Sequence, residues 1–259
     1  PVPTPPTGFG APPAVSMSYS SSAVDGVVID ENNQGDLLGS GWSLDAGGYI
    51  ERTYRTCSQD GTAREDLCWF SDNATIVLNG HASELYFVSG NLEGWSEWRL
   101  KDDPGWKVVR ERYNSAEINP YDELGEVWYV YTPDGTEYRF GMNYIGGEPT
   151  YSTWYVPVVG NNANEPCNLE VGNVCNLPWR GGLDRVKDRA GNVQLFTYEA
   201  DLNFYKVGGG TDLFPYVRGG NLAEIRYGTR EGSESSFRNK IVFVTGERCY
   251  SNAGDCMWW

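Results

Sequence analysis

One histidine, His81, is all that the 259 residues contain, and that scarcity excludes much chemistry. A Ser-His-Asp or Cys-His arrangement would have to be built on it, yet His81 directly follows the turn pair Asn79-Gly80 and reads as an exposed turn residue. Positive charge is also short: 20 Lys and Arg stand against 35 Asp and Glu, a formal net charge of −15. Such a surface repels phosphate backbones, so nucleic acid is not an expected partner. No run of 18 apolar residues occurs, so membrane insertion is not expected, and no signal segment is visible at the start. No stretch keeps a 3.6-residue apolar period over three turns. Gly208-Gly209-Gly210 is not followed by Lys-Ser/Thr and opens no helix, so it is not a phosphate loop.

What is abundant points to strands and turns. Aromatics make up 14% of the chain, with 10 Trp and 17 Tyr, beside 32 Gly and 14 Pro. That composition suits many short strands joined by tight turns. The expected fold is all-β: antiparallel hairpins forming a curved, extended or partly barrel-like sheet array. Residues 1–13 read as a Pro-rich arm, extended and poorly packed. Residues 14–259 read as one β-rich module, whose abrupt apolar end, Cys256-Met257-Trp258-Trp259, looks like the cut end of a longer chain.

Alternation predicts strands over 15–21 and 44–54, and a hairpin of 73–78 with 81–88 about Asn79-Gly80. A second pair, 97–100 and 106–113, flanks the turn at 101–105, and a third, 126–132 and 136–140, flanks Pro133-Asp134-Gly135. Strand 153–159 contains Pro157 and is therefore expected at an edge or bulge. A long loop is expected over 160–182, followed by strands 183–188 and 192–199 about Arg189-Ala190-Gly191, a Gly-rich loop at 208–211, and strands 221–227 and 240–245.

The six cysteines fall in three local pairs, Cys57 with Cys68, Cys167 with Cys175, and Cys249 with Cys256. Short polar loops closed this way suit disulfides in an oxidising compartment. Zinc is the rival, but its usual C-x2–4-C spacing and added histidines are missing. Three loop disulfides, a secreted or cell-surface location and no cofactor are expected. The triplet Asn73-Ala74-Thr75 agrees weakly with export. The acidic loop Asp30–Asp36 fails as an EF-hand, because the twelfth position from Asp30 is Gly41. Another oxygen-rich calcium geometry and a plain solvated loop both stay open there.

Three hairpin-like units share one grammar: 128–141, 183–198 and, more loosely, 220–228. In the first two an Asp (Asp134, Asp188) can hydrogen-bond turn backbone while Gly135 and Gly191 take positive φ. Together with the opening block Gly41-Trp42-Ser43-Leu44, these units resemble degenerate YD repeats. The chain is similar to the N-terminal region of secreted bacterial Rhs/YD-repeat proteins, of actinobacterial type, and to the SpvB-like start of Tc-toxin B components. Every unit departs from the Tyr-Asp-x-x-Gly-Arg-Leu form, and the long array that normally follows is missing. The resemblance implies a sheet that spirals into a shell around a C-terminal toxin. The implied function is a structural or recognition module of a toxin-delivery protein with no catalysis of its own. Its partners would be the rest of a longer Rhs-type chain or that toxin.

The alternative is carbohydrate binding or glycoside hydrolysis, with glycans as partners. Trp95, Trp98, Trp106, Trp154 and Trp179 lie in or near loops rich in Asp, Asn and Arg, the combination that stacks and grips sugars. Hydrolysis would need two carboxylates, one of them protonated. The candidates are Asp122, Glu123 and Glu126 near Trp128, and Asp66 beside Trp69; no spacing singles out a pair.

Overall fold

In the computed structural model, residues 1–23, 38–113, 124–145, 147–166 and 174–246 are described. The strands are β1 (Ser16–Tyr19), β2 (Trp42–Asp45), β3 (Gly48–Glu51), β4 (Arg55–Thr56), β5 (Leu67–Cys68), β6 (Ala74–Leu78), β7 (His81–Gly90), β8 (Ser96–Leu100) and β9 (Lys107–Arg112). They continue as β10 (Glu126–Tyr131), β11 (Glu137–Phe140), β12 (Tyr144–Ile145), β13 (Glu148–Pro149), β14 (Thr153–Val159), β15 (Val174–Lys187), β16 (Asn192–Lys206), β17 (Leu213–Arg230) and β18 (Asn239–Val242). The fold is all-β, as expected; the described helical turns are short 3-10 segments.

Eight strands close a ring in the order β3-β6-β7-β8-β9-β10-β11-β15, with β15 returning to β3. Every pairing around it is antiparallel. An eight-stranded ring is just wide enough for side chains to fill it, and here they do. Alternate residues point inward: Ile76 and Leu78 on β6, Trp98 and Leu100 on β8, Val108 on β9, Trp128 and Val130 on β10, and Phe140 on β11, all buried in one core. Beyond the ring the sheet continues from β15 through β16 and β17 to β18, and from β15 through β14 to β5 and β4.

The turns form as their residues dictate. Asn79 and Gly80 both take positive φ (52° and 77°), the geometry of a two-residue hairpin loop. Asp188 Oδ1 accepts from the N–H of Ala190 (2.8 Å) and of Asn192 (2.9 Å), and Asp134 Oδ1 accepts from Thr136 N–H. Gly135 and Gly191 take φ of 86° and 77°. Strand β14, which carries Pro157, pairs with β15 along its length, and among the described residues its other edge meets a strand, β5, at Val159.

Four expectations are corrected. The loop over 160–182 is strand from Val174 onward; Pro178 and Gly181-Gly182 disguise a run whose Cys175 and Leu177 are buried in a second core with Trp69 and Val158. The returning strands are longer than their alternation suggests: β16 reaches Lys206 and β17 starts at Leu213. Gly220 hides the second. A Cβ there would lie 2.6 Å from the Glu199 carbonyl oxygen and 2.7 Å from Trp154, so a glycine is needed within the strand. The stretch 44–54 splits at Gly47 (φ 108°) into β2, paired with β1, and β3 in the ring. The arm 1–13 is extended but docked. Val2 N–H donates to the Val15 carbonyl (2.7 Å), the Tyr227 hydroxyl donates to the Pro5 carbonyl (2.9 Å), and Phe9 lies beneath Arg238 (4.8 Å to the ring centroid).

Cys57 and Cys68 form a disulfide, Cα–Cα 4.9 Å, and both are fully buried. Cys175 is also disulfide-bonded. Cys167, Cys249, Cys256 and the Asp30–Asp36 loop lie outside the described residues. The 57–68 loop anchors its surroundings: the Asn161 and Asn162 side-chain amides donate to Asp60 (2.8 and 2.9 Å), and Asp66 receives the tip of the β16–β17 hairpin. Replacing Cys57 and Cys68 with serine is expected to cost about 2–3 kcal/mol in a urea melt, with no zinc in the parent protein. Stoichiometric zinc on elemental analysis would overturn the disulfide assignment. Asn73 of the glycosylation triplet exchanges hydrogen bonds with the Thr53 backbone (2.8 and 2.9 Å), so its amide is already engaged.

Candidate functional site

The five tryptophans do not assemble into one platform. Trp98, Trp154 and Trp179 are on strands β8, β14 and β15, while Trp95 and Trp106 sit one residue before β8 and β9. Trp98, Trp106 and Trp154 are buried. Trp98 packs edge-on against Trp128 (5.2 Å between centroids) and donates its Nε1–H to Ser96. Trp106 meets the edge of His81 (5.2 Å). Trp154 and Trp179 lie 5.4 Å apart with the Arg180 guanidinium over both rings at 5.0 Å. Only Trp95, 46% exposed, offers a large free surface among the five.

Among the carboxylates proposed for hydrolysis, Asp122 and Glu123 lie outside the described residues. Glu126 points into the end of the ring, where its carboxylate takes Arg52 (2.7 Å), Arg110 (3.0 Å) and Arg112 (3.4 Å). Asp72 completes the cluster, with Arg52 at 2.6 Å and Arg110 at 2.7 Å. Burial alone would push Glu126 up, but the three guanidinium charges outweigh it and hold the carboxyl below its ordinary range. Asp66 likewise resists protonation: burial opposes ionisation, but the Gly208 N–H (2.8 Å), the Tyr205 hydroxyl (2.9 Å) and Arg64 (2.9 Å) stabilise the anion. A general acid must carry a proton, and neither residue is placed to keep one. Among the described residues, the carboxylate whose affinity for a proton is raised is Asp184, through full burial that Arg139 (2.7 Å) and the Met142 N–H (2.6 Å) only partly offset. Asp184 is wholly enclosed, so it reaches no substrate. At the end of the ring the Glu126 carboxylate is thus engaged by three guanidinium groups.

A cleft of about 410 Å³ lies elsewhere, between β16 and the segment that leads into β14. Tyr144, Tyr151, Tyr155 and Tyr198 wall it, Leu202 and Val217 close its β16–β17 end, and Glu199 stands exposed on its rim. Of the four described non-glycine residues with positive φ, three are asparagines and the fourth is Tyr151 (φ 53°). A left-handed tyrosine costs about 1–2 kcal/mol, and such positions gather at functional sites. Its neighbours hold it there: Trp154 Nε1–H donates to the Tyr151 carbonyl (3.2 Å), Thr150 N–H to Asn143 (2.7 Å), and Tyr198 N–H to Thr150 (2.8 Å). Tyr198 donates its hydroxyl to the Leu183 carbonyl (2.8 Å); burial, then Asp184, keeps that phenol protonated. The sequence reading missed this cleft, because its walls come from 143–155, 198–202 and 217, with no local motif among them. A larger open depression of about 720 Å³ beside β18 mixes charged groups with Ile145, Leu195 and Phe237, and its Arg226 is already paired with Glu148 and Glu224.

No family model matches the chain, and no curated protein does. Among solved structures, it is similar to a chain of the TcdB2-TccC3-Cdc42 crystal structure, with a TM-score of 0.49, 15% identity, and coverage of 96% of this chain and 11% of that one. It is similar to the N-terminal domain of effector protein SpvB from Salmonella typhimurium strain LT2, with a TM-score of 0.44, 14% identity, and coverage of 88% of this chain and 64% of that one. It is also similar to a chain of the Photorhabdus luminescens Tc holotoxin pore, with a TM-score of 0.48, 15% identity, and coverage of 96% and 11%. The chain thus spans 11% of the length of the Tc-toxin chains it matches.

Proposed function

We propose that the chain is a structural or recognition module of a secreted, toxin-related Rhs/YD-type shell protein and carries no catalysis of its own. The observation that carries this reading is a filled, closed ring whose sheet runs on through β16 and β17 to β18. Among the described residues, the outer edge of β18 has no strand partner. An unpartnered edge is a template for a further strand, which the rest of a longer chain would supply. The YD-like turns at Asp134-Gly135 and Asp188–Gly191 support the same reading, since their hairpins need neighbours to bury an aromatic face. The buried Cys57–Cys68 bridge supports an oxidising, extracellular setting. No helix among the described residues is long and apolar enough to cross a membrane.

Burial of Trp98, Trp106 and Trp154 weighs against the carbohydrate reading, as does the ionised state favoured at Glu126 and Asp66. A glycan array and a panel of chromogenic glycosides test it. The expected result is neither saturable binding nor turnover. Glycan binding that disappears with Trp95→Ala, or turnover that disappears with Asp66→Asn, would replace the proposal with its alternative.

A further inference from the structure

We propose that the tyrosine-lined cleft and the adjoining edge of β16 bind an extended peptide that has alternating apolar residues and basic flanks. Backbone direction is the first argument. Tyr198 turns its N–H away from β17, to the Thr150 carbonyl (2.8 Å). Strand alternation turns the Ala200 backbone to the same side. The left-handed Tyr151 then leads the chain off toward β14. From Ala200 to Tyr205, the side of β16 that faces away from β17 has no strand partner among the described residues. An incoming strand would take over the pairing where Thr150 leaves it, the geometry of β-augmentation.

The second argument is what lies beside that edge. Residues directly opposite on an antiparallel pair share a face, and Phe204 stands opposite Pro215, with Lys206 opposite Leu213. Leu202, Phe204 and Leu213 are 59%, 60% and 57% exposed on this projecting ribbon. Its other face is tied down through Tyr205 to Asp66. Leu202 belongs to both the ribbon and the cleft, so the apolar surface is continuous from Tyr151 to the hairpin tip. Alternate side chains of an added strand would drop into the cleft between the tyrosines, where large apolar groups are well received.

Charge selects the flanks. Glu199 is exposed on the rim, and no cation among the described residues pairs with it, while Asp201 next to it is held by Arg218 (2.6 Å). With a chain net charge of −15, a basic peptide is attracted and an acidic one repelled.

This inference rests on the reading of the chain as a recognition module, but its test is separate from the glycan screens. A display library of random eight-residue peptides is selected on the protein and, in parallel, on Leu202→Asp, a variant at an exposed position expected to keep its melting temperature. Selection on the parent is expected to enrich alternating apolar and basic sequences. The synthetic winners should bind Leu202→Asp at least tenfold more weakly and slow amide exchange at Ala200. No enrichment over the variant would overturn the proposal, as would winners that leave the Ala200 amide unprotected. Concentration-dependent dimers lost in Leu202→Asp would instead assign the surface to a second copy, and a glycan protecting Ala200 would assign it to a sugar.

Discussion

Glu126→Gln is expected to destabilise the chain at pH 7 by about 3–5 kcal/mol, a fall of about 6–20 °C in melting temperature for a domain of this size. The side chain is almost wholly buried, and it is the one acceptor shared by Arg52, Arg110 and Arg112. Glutamine keeps the volume and removes the charge. Arg52 and Arg110 are then left with the single anion Asp72 and Arg112 with the exposed Glu93, and the glutamine NH2 faces donors instead of accepting from them. The cost is that of charges left buried without compensation, which is far larger than the net worth of a surface pair.

The pH dependence separates this account from simple loss of packing. In the folded chain Glu126 and Asp72 both titrate below their ordinary values of 4.5 and 3.8, against the opposing pull of burial. Their contribution is therefore fully present above those values and is lost as pH falls through the lower folded values. The stability gap between parent and Glu126→Gln should be constant from pH 7 down to about 5 and should shrink in more acid solution. Urea melts across that range check it; a gap that is absent at neutral pH, or that widens in acid, would contradict the charge argument.

Trp98→Ala is the second large effect, with an expected loss of about 3–5 kcal/mol. Trp98 is 1% exposed at the centre of the ring. Trp128, Phe87 (5.9 Å) and the Arg110 guanidinium (5.1 Å) surround its indole. Truncation leaves a cavity that rigid strands cannot close, and it strips a face from Arg110 in the charged cluster. Trp95→Ala, three residues earlier and exposed at the surface, should change stability by no more than about 1 kcal/mol. Differential scanning calorimetry of the two variants is decisive. Equal, small losses would mean that Trp98 is not the packing residue described here.

The local half of this fold was legible in the sequence. Asn79-Gly80, Asp134-Gly135 and Asp188 with Gly191 announce their turns because each residue's backbone or side-chain chemistry suits a turn by itself. Ring closure was not legible. It depends on Arg139 meeting Arg185 and Phe140 meeting Leu183, and nothing near either strand encodes that partnership. The charged cluster did leave a signal that went unread. Arg52 stands two residues from Ile50, Arg110 two from Val108, and Glu126 two from Trp128, so each is a charge at an inward position of an apolar face. Charges of opposite sign at such positions must meet or destabilise the fold. Burial of the indoles was not legible, because polar neighbours in sequence do not fix which way a side chain points. Trp154 follows Tyr151-Ser152-Thr153 and still lies buried beside Trp179 and Tyr198.

The proposed function depends on this sheet being continued at β18, whose outer edge has no strand partner among the described residues. Phe243 N–H donates to the Ala223 carbonyl (2.9 Å), so alternation turns the amides of Lys240 and Val242 away from β17. Residue-resolved hydrogen exchange at these two amides, in the 259-residue chain and in any longer product of its gene that includes it, tests the proposal most directly. Fast exchange in the first and strong protection in the second is the expected result. Protection already complete in the 259-residue chain, or fast exchange in both, would contradict it.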